Sequence, residues 1–295
     1  MIGTIVSIST PLLLAGTGGL VTEMAGVLNI GLEGYILAGA FFGLLGASAT
    51  GSTIAGVVCA AIAGCALAYI FTIFALRLEA NIYIVGLSVN LLAIGITALL
   101  SDLLYSTRGV IHPSTQVSVA YYQIPVVDSI PIVGDLLSGH SVFAPIAWFL
   151  VLGTSIFVHR TRSGLILRAS GIDPGVVTVR GGNPNQFKFL ATLFAGACGG
   201  IAGSVLSLEL GAFVPNMSAG RGWIALVMIF LGRRRFWGVA AAGIFFAAAE
   251  YGANILQGVT RLPGTLSLSF PYLITLASMI LFALVTRLQS RRRDT

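Results

Sequence analysis

Long apolar runs, separated by short basic or glycine-rich intervals, set the pattern of this chain. A helix needs about 20 mainly apolar residues to cross a bilayer. By that rule the candidate spans are 4–21, 27–49, 53–76, 82–105, 142–158, 187–208, 222–231, 237–256 and 271–285. The run 222–231 is too short to cross as a regular helix, so the pattern predicts a broken or tilted helix near 209–232. In hydrocarbon every backbone polar group must be satisfied within the protein, which favours helices. The expected fold is an all-α polytopic membrane protein of about 8–9 transmembrane helices. One polar patch stands out inside an apolar run, Asn29-Ile-Gly-Leu-Glu-Gly34. A carboxylate at membrane depth is costly and marks a functional site by default. The glycines and asparagine around Glu33 predict close helix packing or an opened helix turn.

The pattern also repeats. Ala15-Gly-Thr-Gly-Gly-Leu resembles Ala197-Cys-Gly-Gly-Ile, and Gly34-Tyr-Ile-Leu-Ala resembles Gly222-Trp-Ile-Ala-Leu. The span map starts the two copies on opposite sides of the membrane. Inverted repeats of this kind are a transporter signature. The expected organisation is one transmembrane domain over 1–295. It comprises a first repeat 1–105, an external loop 106–141, a linking span 142–158, a cytoplasmic loop 159–186, a second repeat 187–288 and a tail 289–295.

Composition agrees. The 295 residues are 56% hydrophobic and only 9% charged, with mean hydropathy +0.96, whereas soluble domains carry about 25% charged residues. The net charge of +6 does not indicate nucleic acid, because the basic residues sit between apolar spans. Arg77, Arg160, Arg162, Arg168, Arg180, Lys188, Arg233, Arg234, Arg235, Arg287, Arg291, Arg292 and Arg293 fall on one side of the map; Arg108, Arg221 and Arg261 do not. The positive-inside rule makes that side cytoplasmic, with the C-terminus inside and the N-terminus outside. No basic residue precedes Arg77, so the first apolar run lacks the n-region of a signal peptide and is expected to be retained.

Several chemistries find no motif. Cys59, Cys65 and Cys198 lie in apolar runs without a CxxC pair, and His112, His140 and His159 are scattered. Neither a disulfide frame nor a metal site is expected, and no cofactor is called for. A phosphate-binding loop needs Gly-Lys-Ser/Thr, yet the sole lysine, Lys188, follows Phe187. Any ATP use must come from another subunit. Glu23, Glu33 and Glu250 form no paired-carboxylate motif, although proton coupling through Glu33 or Glu250 in a stand-alone secondary carrier stays open. In the loop 159–186, Asp173 can cap a short helix that starts at Pro174 and ends at Gly181. Such a helix among arginines suits docking to a partner, or an ordinary basic connector.

Three motifs carry a resemblance to a family. They are Gly19-Leu-Val-Thr-Glu-Met-Ala-Gly-Val-Leu-Asn-Ile-Gly-Leu-Glu-Gly34, Ala80-Asn81-Ile-Tyr-Ile-Val-Gly-Leu-Ser-Val-Asn90-Leu-Leu-Ala, and Phe213-Val-Pro-Asn-Met-Ser-Ala-Gly-Arg-Gly-Trp-Ile-Ala-Leu226. They resemble, in order, signatures of bacterial ABC-importer permeases for nucleosides and simple sugars, and within that family the shorter of two paralogous permeases. The resemblance covers about Pro11 to Ser290. It implies a longer paralogous permease, an ABC ATP-binding subunit and an extracytoplasmic solute-binding protein as partners, with membrane lipid around the pair in a bacterial inner membrane. Tyr83 and Pro215-Asn216-Met depart from the family pattern near presumed path elements.

The resemblance implies alternating access driven by the partner ATPase. Asn29, Glu33, Asn90, Asn216 and Arg221 are then candidates for lining or gating the path, against helix packing or a structural ion pair. Gly164, Arg168, Gly171, Asp173 and Arg180 are candidates for coupling to the ATPase. Tyr35, Tyr83 and Trp223 could stack on a ring, which leaves nucleoside, nucleobase, riboflavin and sugar open as solutes.

Overall fold

The structure, a computed structural model, describes residues 2–113, 115, 119–122 and 139–259. Its elements are α1 (Ile2–Met24), α2 (Leu32–Thr50), α3 (Thr53–Thr72, extended by a π turn Ile73–Arg77), α4 (Ile82–Tyr105), β1 (Tyr121–Tyr122), β2 (His140–Ser141), α5 (Phe143–Arg160), α6 (Arg162–Ile172), α7 (Pro174–Val179), α8 (Pro184–Leu210), α9 (Arg221–Leu231) and α10 (Phe236–Val259). Among the described residues seven helices are long and apolar enough to cross a membrane, and α9 is a shorter apolar helix. The all-α polytopic expectation holds, with one two-residue antiparallel ladder, β1 on β2, outside it. The predicted span 271–285, the tail 289–295, most of the loop 106–141 and Arg261, Arg287, Arg291, Arg292 and Arg293 lie outside the described residues.

α1 is the hub. Every residue from Ser9 to Thr22 is buried, so it is wrapped on all sides, as an all-round apolar helix must be. It packs on α8, α10, α9 and α5, while α2, α3 and α8 form a tight sheaf. Small residues make the sheaf possible. A side chain on Gly39 would strike the Gly200 backbone, one on Gly64 that of Gly196, and one on Gly203 that of Ile36. Lipid tails are as apolar as leucine, so such close van der Waals contact, more than expulsion of water, holds membrane helices together. α4 stands at the rim and exposes Ile84, Leu91 and Leu103.

The backbone breaks twice, and in one way. α1 stops in a Schellman turn: Gly26, at φ +82°, donates to the Glu23 carbonyl, and Val27 donates to Thr22. α8 stops likewise: Gly211, at φ +66°, donates to Leu208, and Ala212 donates to Ser207. A non-helical connector follows each stop, then a new helix. The break at 211–220 was predicted; at 25–31 the span map ran straight through, although an opened helix turn was one of the two readings of the patch around Glu33. The expected span 27–49 is instead a connector plus a helix beginning at Leu32. Val27, Leu28 and Ile30 kept the run apolar and hid the break, because hydropathy does not register backbone direction.

Contacts fix the direction of each piece. Tyr35 in the first turn of α2 packs on Gly199, near the middle of α8, and Gly222 at the start of α9 packs on Glu33. Both helices, α2 and the shorter α9, therefore begin near the middle of the bundle. α2 runs to one end of the bundle, where Gly56 of α3 packs on Gly43 and Ala47. α9 runs to the other end, where Arg234 pairs with Glu23 at 2.7 Å. That second end also gathers Arg77, Arg160, Arg162, Arg168, Arg180 and Lys188, as the span map expected; Arg108 lies at the opposite end and Arg221 at mid-depth. The first connector enters from the basic end and the second from the far end, so α2 and α9 run in opposite directions.

Candidate functional site

A helix that starts inside a membrane leaves orphan N–H groups that water cannot reach. The connector 25–31 meets this problem with two asparagines. Asn29 is buried, and its Oδ1 accepts from the Gly31 N–H at 3.2 Å. Asn90, buried on α4, accepts from the Gly34 N–H at 2.8 Å through Oδ1 and donates from Nδ2 to the Ile30 carbonyl at 3.0 Å. A primary amide can give and take at once, so one side chain closes both sides of the break. Gly86, on the same face of α4, leaves room for Ile30. The buried Tyr35 hydroxyl lies against the Asn29 side chain.

Glu33 does the corresponding work for the second break. α9 has Gly220 at its N-cap, which offers no capping side chain. The Glu33 carboxylate, in the first turn of α2, supplies the cap: Oε1 accepts from Gly220 N–H at 2.8 Å and Oε2 from Gly222 N–H at 2.7 Å. Charge-assisted hydrogen bonds to a helix N-terminus also meet its positive dipole end. A Cβ at 222 would collide with the Glu33 backbone, so glycine is required there for the approach.

Arg221 lies beside this junction and does not pair with Glu33. Its Nη2 meets Glu250 Oε1 on α10 at 2.5 Å, both side chains under one-fifth exposed. Its Nη1 donates to the Met217 carbonyl at 3.3 Å. The pairing matters because a half-buried arginine without a counter-charge would be strongly unfavourable. Asn216, exposed at φ +58°, sits on the second connector, as does Ala219 at φ +45°. Ile111 holds that connector by a two-way backbone bridge to Phe213, at 2.8 and 3.0 Å. Of the five candidate path residues, Asn29, Glu33 and Asn90 thus hold the two half-helix starts, Arg221 flanks them, and Asn216 stands apart on the exposed connector.

The five candidate coupling residues gather at the basic end. Thr161 caps α6 by accepting from Gly164 N–H at 3.0 Å, and Gly164 is pressed on the Phe157 and Val158 carbonyls at the end of α5. Arg168 is half-buried, with its Nε unpartnered. Gly171 packs directly on the backbone of Met24, Ala25 and Gly26. Asp173 caps α7 through Gly175 N–H at 2.9 Å and Val176 N–H at 3.4 Å, with Pro174 in the first turn and Gly181 at φ +78° after it. The predicted short helix is there. Arg180 is its exposed C-cap.

Three pairings escaped sequence reasoning. Glu23 to Arg234 and Arg221 to Glu250 join residues far apart in the chain, and Ser141 donates to the Glu209 carboxylate at the far end. The only available signal was that each carboxylate lies near membrane depth and so needs a partner.

Two opposed half-helix starts meeting at mid-depth, inside a bundle of membrane-crossing helices, is a transporter arrangement. Residues 1–284 match the family described as branched-chain amino acid transport system, permease component. The chain belongs to this permease family. The permease is 27% identical over 293 residues to the nucleoside ABC transporter permease protein NupC of Lactococcus lactis, covering 93% of the permease and 89% of NupC. It is 26% identical over 287 residues to the guanosine ABC transporter permease protein NupQ of Bacillus subtilis, covering 92% and 88%. TsgC13 of Haloferax volcanii, whose name carries a provisional assignment as a glucose ABC transporter permease, is 31% identical over 240 residues, covering 80% and 71%. No solved structure matches the permease. The permease is a multi-pass membrane protein of the ABC-transporter type.

Proposed function

We propose that the permease is one transmembrane half of a bacterial ABC importer that carries a nucleoside, or a related small uncharged solute, inward across the cytoplasmic membrane. The observation that carries this reading is the junction at Glu33, where two helices of opposite sense meet and every charged side chain is already engaged by the protein. Glu33 is balanced by two N–H groups and a helix dipole, and Arg221 by Glu250. Such a site suits a polar, neutral solute better than an ion. The names of NupC and NupQ point the same way. Of the three candidate stacking residues, Tyr35 is buried and Tyr83 lies at the basic end. Trp223, next to Gly222 and 40% exposed, is the remaining candidate to stack on a nucleobase.

On this reading the basic end faces the cytoplasm, with the tail 289–295 on that side. Two inverted repeats, 1–105 and 187–288, joined through 142–158, form the half-transporter. ATP is hydrolysed by a partner ATP-binding subunit seated on α6 and α7, where Ile172 and Val179 are 87% and 90% exposed. A longer paralogous permease completes the path opposite α9, and a solute-binding protein delivers at the far end. A stand-alone carrier is disfavoured because Glu33 and Glu250 are both engaged.

The test is reconstitution of the four subunits in liposomes with labelled nucleosides. Uptake is expected to require ATP and the ATPase subunit. Uptake that continues without that subunit refutes the proposal.

A further inference from the structure

The connector 25–31 is bracketed by two glutamates, and both grip α9. Glu23 precedes it and binds Arg234, three residues past the end of α9. Glu33 follows it and binds the N–H groups of Gly220 and Gly222, at the start of α9. We propose that α9 is carried as a rigid piece by this connector, that Glu33 is the positioning residue that ties it on, and that the docking element α6 drives the connector through Gly171. The inference rests on the importer reading above and adds the route by which force reaches the mid-membrane site.

Three features make the route stiff. The contact at the driving end is backbone on backbone, because Gly171 lies directly on Met24, Ala25 and Gly26. No flexible side chain stands between them to absorb a shift, and close-packed interiors transmit strain. The connector itself has little slack. Gly26 is locked in the Schellman turn, and the Ile30 carbonyl and Gly34 N–H are held by one side chain, Asn90. α9 is only 11 residues, roughly 16 Å at 1.5 Å per residue. Gripped at both ends, it has no independent way to tilt against the connector.

The grip at Glu33 holds because its two acceptors serve N–H groups that have no partner of their own in α9, and in a dry site nothing else can replace the carboxylate. An ATPase that moves α6 therefore moves Gly171, the connector and α9 together.

The experiment uses the assembled four-subunit transporter in liposomes and reads solute moved per ATP hydrolysed. Wild type, Glu33→Ala, Glu33→Gln and Arg234→Ala are compared. Arg234 is mostly exposed while its partner Glu23 is largely buried, so thermal unfolding of this variant is measured alongside. Glu33→Ala is expected to keep ATP hydrolysis while transport per ATP falls about tenfold or more, within the usual range of coupling free energies. Glu33→Gln, which keeps one good acceptor, is expected to recover part of it, and Arg234→Ala to lose several-fold. A spin-label pair at Leu165→Cys on α6 and Phe230→Cys on α9 is expected to keep one distance with and without ATP in wild type, and to show an ATP-dependent change in Glu33→Ala. Unchanged coupling and an unchanged spin-label response in Glu33→Ala would falsify the inference. Should that variant not assemble, unchanged coupling in both Glu33→Gln and Arg234→Ala overturns it instead. A wild-type complex that shows no ATP-linked uptake at all refutes the importer reading itself, a result distinct from these.

Discussion

Asn90 shows how much one side chain can carry at membrane depth. It ties α4 to the first break by satisfying a donor and an acceptor together. Removing it strands the Gly34 N–H and the Ile30 carbonyl where no water reaches, at roughly 1–3 kcal/mol for each buried unsatisfied group. Asn90→Leu is expected to lower the thermal midpoint of the detergent-solubilised permease markedly. Asn90→Asp is expected to be no better, because it keeps the acceptor, loses the donor and buries a charge. Asn90→Gln, too long for the same geometry, should fall between wild type and Leu. Fluorescence-detected thermal unfolding would show the order, and a Leu variant as stable as wild type contradicts the clamp. The sequence flagged Asn29, Glu33 and Asn90 as costly polar residues that must have a purpose. It did not show their partners, because Glu33 meets Gly220 and Gly222 nearly two hundred positions away. Arg221 carried an ion-pair reading from the start, yet its partner on α10 depends on how helices pack, which no local pattern encodes.

At the scale of elements, legibility followed backbone chemistry closely. α7 was readable because a cap, a proline and a glycine stand at the spacing that a short helix needs, Asp173, Pro174 and Gly181. The second break was readable because the apolar run after it, 222–231, is too short to cross a membrane. The first break was hidden by apolar connector residues, although Gly26, the Schellman glycine, was a signal in plain view. The same elements allow a test of docking. The apolar surface of α6 and α7 at Ile172 and Val179 is too exposed to serve this chain alone, and patches of that kind mark interfaces. Ile172→Asp and Val179→Asp are expected to abolish co-purification of the ATPase subunit while the permease still folds. Asp173→Ala is expected to weaken it several-fold, since losing an N-cap costs about 1 kcal/mol of helix stability. Retained co-purification in all three would place the docking surface elsewhere.

For the whole molecule, orientation ties every other assignment together. The described arginines segregate as a cytoplasmic face requires: those at Arg77, Arg160, Arg162, Arg180 and Arg233–Arg235 share an end with Glu23, while Arg108 lies beyond α4 at the other, in an exposed pair with Asp102 at 3.1 Å. That exposed pair contributes little stability, so its arginine can be replaced safely. Native Cys59, Cys65 and Cys198 would first be changed to Ala or Ser. Single cysteines would then be placed at Arg108 and at Val179 and probed with a membrane-impermeant maleimide. Arg108→Cys is expected to react in intact cells, and Val179→Cys only after the membrane is opened. The reverse result inverts the molecule. It would put α6 and α7 on the outer face, where no ATPase could reach them, and leave α9 and the Glu33 junction without a driver. The topology experiment therefore decides more than sidedness. It decides whether a force applied at Gly171 can come from ATP.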